Sequence, residues 1–479
     1  MNKVELRSGV WYGEEQVRLQ FPRGWDLKVF WPRPAPALLA SQIAASLEHP
    51  AGQPPIRELC RGKSNPLIIV DDPNRPTPVN RVLPLVLDQF RQAKIDPRNV
   101  RVLIANGTHA PPRLNTILKK VGREAFKNCK VQVHCPNNNL VKLGVSSWGT
   151  PVEVNREVLR SDFVVGIGGI YPNNTAGFGG GSKLALGVLG FRSIRHLHYS
   201  HQPVGWSASP SNCSFRRDLD EISRLIGLNT IISIQVNANR EIIRLDCGDP
   251  ALYFDGATEF CREMFSVPEP GDADVVISNA YPNDLSLTFA SMKGMAPLYQ
   301  CGPGASRIAI AACSEGFGHH RLFPRAGHSW AWRKYQTALR LRSMGPRRAA
   351  RKVTGYAIRK IRTTANGSSH HGPRNPVWLY RPQINSEPLR HTVPFIRLAE
   401  SWEEILDAVT REQGGRKYLR AAIYPCAPLQ VLTPEAESIK ALPAEEKDQL
   451  LPVGAGPFAL QTMQSTQTSL RRHWRLSDW

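Results

Sequence analysis

The chain has 479 residues, 41% hydrophobic and 21% charged, with 61 lysines and arginines against 40 acidic residues for a net charge of +21. Single cores rarely grow past about 250–300 residues, so two or three domains are expected, and the composition excludes a disordered chain. No run of 18 apolar residues exists to cross a membrane, the opening MNKVELRSGVWYGEEQ lacks a signal-peptide core, and nine cysteines form no C-x-x-C pair, so a reduced cytoplasmic protein is expected.

Residues 1–60 carry extended, aromatic-rich segments and then PAPALLASQIAASLEHP, an expected amphipathic helix behind a proline start. Pro66 to Val70 is an apolar strand that exits into Asp71-Asp72-Pro73-Asn74-Arg75-Pro76. NRVLPLVLDQFRQAKI has helical spacing, with Pro84 expected in the first turn. The strand Val100 to Ala105 exits into Asn106-Gly107-Thr108-His109, and a helical stretch and VQVH follow. Phe163 to Ile167 is another strand, followed by a loop rich in glycine with Lys183 at its exit and then His196, His198 and His201. Residues 230–246 predict two strands joined by a turn at Asn237–Arg240.

Proline and glycine in SVPEPGDAD suggest a domain boundary, dividing the chain into 1–268 and 269–479. The second part repeats the strand-and-helix pattern with DVVISN, SRIAIAA and the loop CSEGFGHH. A strongly basic insert at about 330–375 has helical spacing, which reads as a solvated helix or as a phosphate-binding surface for nucleic acid or acidic lipid. ESWEEILDAVTREQ is a capped helix, YLRAAIYP a strand, and the segment from Gln461 a polar tail.

Strands alternating with helices imply an α/β fold of two α/β domains with mostly parallel sheets, and ligands in such sheets lie beyond the carboxyl ends of the strands. Asp72 with Arg75, Thr108 with His109, and the glycine loop with Lys183 all fall at those ends. Lys183 follows Gly181-Ser182, so no G-x-x-x-x-G-K-[ST] phosphate loop is present, and Gly166-Ile167-Gly168-Gly169 is not a G-x-G-x-x-G fingerprint.

Four motifs in order resemble the lactate racemase family: Asp72-x-x-Arg75-Pro76-Thr77-Pro78, Gly107-Thr108-His109, Ala176-Gly177-Phe178-Gly179-Gly180-Gly181-Ser182-Lys183, and Ser193-Ile194-x-x-x-His198. The likeness runs from about Leu67 to Gln202, and more weakly through Ala280-Tyr281-Pro282-Asn283-Asp284-Leu285 and Cys313-Ser314-Glu315-Gly316. It implies a 2-hydroxyacid racemase or epimerase using a nickel-pincer nucleotide, a pyridinium dithio-mononucleotide that passes hydride from and to the substrate α-carbon. By the same resemblance Lys183 attaches the cofactor covalently, His198 ligates nickel, and Asp72 lies in the cofactor site. Arg75 and Lys293 bind substrate and His109 serves as a base, with the active-site cleft between the domains and the cofactor-making enzymes as partners.

The chain also departs from the family. Lys183-Leu-Ala-Leu-Gly187 lacks the usual proline and is one residue short, which leaves His196 and His201 open as ligands beside His198. The second base is replaced by Asn173, leaving His109 alone or aided by Tyr171 or a neighbouring histidine. Lys293 stands at an offset of one, and Ala290 replaces an expected glutamine. The expectation is a substrate other than lactate, such as a longer or more polar 2-hydroxy acid or a sugar acid. The alternatives are a relic that binds cofactor or an anion without turnover and, ranked last, a nucleic-acid-binding protein.

Overall fold

The computed structural model describes residues 2–320, 322, 376–381 and 396–434. The basic insert and the polar tail lie outside these residues, so neither expectation is met or refused. The first sheet has six strands in the order Ile242–Gly248, Leu228–Val236, Phe163–Gly169, Pro66–Asp71, Arg101–Ala105 and Lys130–Val133. All neighbours run parallel except the Leu228–Val236 and Ile242–Gly248 pair.

The strand Pro66–Asp71 shows why this sheet is covered on both faces. Leu67, Ile68, Ile69 and Val70 are all fully buried, an unbroken apolar run where a half-solvated strand would alternate. Ile68 and Val70 pack with Val79, Val82 and Val86 of the helix Val79–Gln92. Leu67 and Ile69 pack on the opposite face with Leu184, Ile194 and Phe215. Pro84 is the sixth residue of its helix, not a first-turn residue as expected, because the helix begins at Val79 directly after Pro78. Its missing N–H orphans the carbonyl of Asn80, a residue exposed to water that can take the bond instead.

The second sheet is wholly parallel, in the order Ile396–Ala399, Val377–Tyr380, Ser306–Ile310, Val275–Asn279, Leu419–Tyr424 and Trp25–Val29. The first 30 residues, grouped by sequence with the first domain, therefore contribute to the second. Besides the strand Trp25–Val29, the antiparallel hairpin of Asn2–Ser8 and Glu15–Phe21 lays Leu6, Leu19 and Phe21 on the core of this sheet. The hairpin tip crosses back to the first sheet's loops, where Trp11 Nε1 donates to the Pro73 carbonyl at 2.8 Å. From the other direction, Asn283 Nδ2 donates to the Asn74 carbonyl at 3.0 Å. Both sheets thus present the carboxyl ends of their strands to a shared boundary.

Candidate active site

Three loops of the first sheet build most of the site. The first leaves the strand Pro66–Asp71. Asp71 is locked to the buried Lys120 amine at 2.6 Å, and Lys120 also donates to the Arg75 and Thr77 carbonyls at 3.0 Å each. One buried lysine thereby fixes the backbone on both sides of Arg75. Asp72 Oδ1 accepts from the Asn74 N–H at 2.9 Å and from its side-chain amide at 2.7 Å. Burial works to raise the Asp72 carboxyl, but His109, Arg75 and Asn74 outweigh it and hold the group well below the usual carboxylate range.

The second loop carries His109, whose Nδ1 lies 3.1 Å from Asp72 Oδ2, an ion-pair distance at an angle that does not complete a hydrogen bond. Its ring stands edge-on to Phe289 at 4.7 Å between centroids, and Arg75 lies over the same phenyl ring at 5.8 Å. The aromatic wall from the second sheet's helix Leu287–Lys293 therefore orients both groups.

The third loop is the glycine-rich stretch. It bends back on the strand Phe163–Gly169, with Gly180 at φ +82°, and a Cβ there would meet the Gly169 carbonyl oxygen at 2.7 Å. That bend delivers Lys183 to the site on the 3-10 helix Gly181–Val188, its amine 5.6 Å from the Phe215 ring centroid. Burial, with Arg75 and Arg216 adding repulsion, lowers the Lys183 amine to about 7. His198, on the helix Phe191–Ser200, stands edge-on to the same Phe215 ring at 5.1 Å. Its Nδ1 donates to the Ile194 carbonyl at 2.8 Å, and burial, then Lys183, push its imidazole down to about 3. The other two histidines face elsewhere. His196 bonds Thr150 and Ser200, and His201 bonds Ser214 and Asp218, both at 2.9 Å.

Lys293 reaches the site from the second sheet. It is 9% exposed and lies 4.7 Å over the Trp206 ring, and burial, then Arg75 and Lys183, hold its amine well below the usual lysine range. Six of the seven residues named from sequence thus feel one another's charge, across both sheets. Asn173 does not join them by any hydrogen bond. Its Oδ1 accepts from the Thr175 and Ala176 N–H groups, each at 3.0 Å, so its amide shapes its own loop. Tyr171 is also engaged, its hydroxyl 3.0 Å from Thr77 Oγ1, and burial beside Asp71 keeps the phenol protonated.

Sequence reasoning missed Lys120, Phe289, Trp206 and His320. The last had a signal, since it ends the strand-exit loop CSEGFGHH, but nothing local says which way that loop folds. Among the described residues no group of three or more histidine, cysteine or acidic side chains forms a metal cluster. No described helix is long and apolar enough to cross a membrane.

Residues 12–206 match the family model described as the lactate racemase N-terminal domain. The lactate racemase of Thermoanaerobacterium thermosaccharolyticum is 30% identical over 284 residues, which cover 58% of this chain and 66% of that protein. The lactate racemase of Lactiplantibacillus plantarum is 28% identical over 285 residues, with the same two shares. The matched segment thus spans just under two thirds of the relatives' own length. The apoprotein structure of the Thermoanaerobacterium thermosaccharolyticum enzyme superimposes with a TM-score of 0.63 at 21% identity, covering 90% of this chain and all of that one. The chain thus carries, over residues 12–206, a region that matches the lactate racemase N-terminal domain with the four motifs in order, and it shares the α/β fold of the lactate racemase apoprotein.

Proposed function

We propose that this chain is a racemase or epimerase of a 2-hydroxy acid other than lactate, built to carry a nickel-pincer nucleotide. The observation that carries the reading is the grouping of the motif residues at the strand ends: Asp72 lies 3.1 Å from His109, Arg75 and His109 share the Phe289 ring, and Lys183 and His198 share the Phe215 ring. The residues fit the cofactor. His198 commits its Nδ1 proton to a backbone carbonyl, which makes Nε2 the donor nitrogen of a neutral imidazole, a suitable nickel ligand. Lys183 offers an amine that loses its proton near neutral pH, as covalent attachment requires. Bound there, the nucleotide supplies a reversible hydride acceptor, a chemistry that no side chain offers.

The protein's own groups do the rest. Arg75 offers a planar fork to the substrate carboxylate, and Lys293 adds a compact cation beside it. Asp72 near Nδ1 of His109 favours the proton on that nitrogen, so Nε2 accepts the substrate hydroxyl proton. Phe289 and Phe215 exclude water from the reacting centre. Ala290, fully buried where the family has a glutamine, removes an amide contact and favours a longer or differently polar substrate. The reading brings with it cofactor-making enzymes as partners and a cytoplasmic setting, which nine free cysteines support.

A second reading, a relic that binds cofactor or an anionic ligand without turnover, is favoured by one observation: the Asn173 amide is committed to its own loop. One experiment separates the two. The chain is co-expressed with cofactor-making enzymes, weighed intact and assayed for nickel, then incubated with 2-hydroxy acids of both hands. We expect a mass adduct absent from Lys183→Ala, nickel absent from His198→Ala, and interconversion of enantiomers or epimers. An adduct without interconversion establishes the relic, and no adduct at all ends the pincer reading.

A further inference from the structure

We propose that His320 is the second proton-transfer imidazole of this site, contributed by the second sheet where the glycine loop offers only an amide. The inference rests on the racemase reading above and assigns the half of that reaction which Asn173 leaves without a base.

The geometry is specific. His109 and His320 are partners in an isolated antiparallel bridge, and the Ala110 N–H donates to the His319 carbonyl at 3.1 Å. The two imidazole centroids lie 4.9 Å apart, and Thr108 Oγ1 is 3.5 Å from His320 Nδ1. Phe289 borders both rings, at 4.7 Å from His109 and 6.4 Å from His320. His320 is 6% exposed, so it is an interior side chain of the cluster and not a surface histidine. The loop that bears it is pinned: the Cys313 N–H donates to the Asp284 carbonyl at 2.7 Å, and the Leu287 and Thr288 N–H groups donate to the Gly316 and Phe317 carbonyls at 2.9 Å. Burial, reinforced by His109 and His198, keeps the imidazole in its neutral form.

Stereochemistry explains why two adjacent imidazoles suffice. With the carboxylate clamped and the α-hydrogen facing one acceptor, the two enantiomers differ by exchanging their hydroxyl and side-chain positions. The hydroxyl therefore occupies one of two neighbouring positions. A base must lie within about 2.6–3.2 Å of the proton-bearing oxygen, too narrow a window for one ring nitrogen to serve both. Neighbouring rings provide one nitrogen for each. In the oxidative half the O–H bond would break and its proton pass to the facing imidazole, while the bound nucleotide would supply the acceptor for the α-hydrogen and its electron pair. The product is the planar 2-oxo acid. The reductive half would return the hydride to carbon and a proton to oxygen from the other imidazole. That imidazole first takes the proton from its protonated neighbour, 4.9 Å away between centroids, so there is no net oxidation and no net proton change.

The test is a single turnover of the cofactor-loaded full chain with separate enantiomers of malate and 2-hydroxyglutarate, following 2-oxo acid formation. His320→Gln should slow oxidation of one hand by about 10²–10⁴-fold and spare the other, and His109→Gln should do the opposite. Nickel content and unfolding temperature are measured alongside, and added imidazole should restore part of the lost rate in His320→Ala. Equal slowing of both hands, or of neither, in a folded and loaded His320→Gln overturns the assignment. A wild-type enzyme that oxidises neither hand of any 2-hydroxy acid overturns the racemase reading, and the assignment falls with it.

Discussion

Lys183 is a lysine whose surroundings decide its chemistry. Burial and the neighbouring Arg75 and Arg216 charges lower its amine to about 7, against 10.5 for an ordinary lysine. The sign follows: below that value the amine is protonated and inert, and above it a neutral nucleophile. An amine-reactive electrophile added in limiting amount should label Lys183 ahead of the exposed lysines, with a midpoint near pH 7. Peptide mapping across pH 5–10 checks this, and a midpoint near 10 contradicts it. The residue was legible because a lysine at the exit of a glycine loop, on a strand's carboxyl side, is a local pattern. His198 was legible only as one of three histidines, and the Nδ1 bond to Ile194 distinguishes it from His196 and His201. His320 was not legible. It lies more than 120 residues along the chain from His198, and only the folding of two sheets against each other brings it to His109.

At the scale of elements, apolar runs bounded by Asp, Asn and Gly located the central strands because a doubly covered parallel strand carries no polar face. What escaped was pairing: nothing in Trp25–Val29 indicates that its partner is Leu419–Tyr424, almost 400 residues away. The same scale carries two predictions. Gly180 sits at φ +82° with a carbonyl 2.7 Å from where a Cβ would stand, so Gly180→Ala should destabilise the apoprotein by about 1–3 kcal/mol in urea unfolding. A loss below about 0.5 kcal/mol would show that the bend tolerates a side chain.

His134, just past the strand Lys130–Val133, donates from Nε2 to the Leu189 carbonyl at 2.9 Å and accepts from Asn155 at Nδ1. Burial lowers its imidazole from 6.5 to about 4, so the unfolded chain binds the extra proton first. The stabilising contribution is therefore intact above pH 6.5 and is lost as pH falls toward 4. It amounts to about 3 kcal/mol at most, at 1.36 kcal/mol per pKa unit. Comparing denaturant midpoints of wild type and His134→Gln from pH 7 to pH 4 checks it. The wild-type curve should fall more steeply, and parallel curves would refute the assignment.

For the whole molecule, two sheets with separate cores must hold one site between them, and the hairpin tip supplies much of the coupling. Asp284, fully buried, accepts from Ser8 Oγ and the Gly9, Val10 and Ala312 N–H groups, which anchors the tip to the second sheet. From that anchor Trp11 reaches the first sheet's loops. Its indole donates to Pro73, stacks under the Arg240 guanidinium at 4.0 Å and lies 5.6 Å from the Lys120 amine that holds the Arg75 backbone. Lys119 closes the contact on the Trp11 carbonyl. Interfaces between domains of one chain leave relative motion as the default unless such contacts suppress it. Removing a buried tryptophan costs about 3–5 kcal/mol, and here the loss falls on the boundary and not inside either core. Trp11→Ala should therefore split one calorimetric unfolding transition into two and raise the mobility of the Asp72–Arg75 loop, while each sheet keeps its own core. A single transition shifted down as a unit would mean that the sheets are coupled elsewhere, and that the tip is one contact among many. Two transitions, with the lower one rising when a 2-oxo acid is added, would support the proposed ligand site at the boundary where His109 and His320 meet.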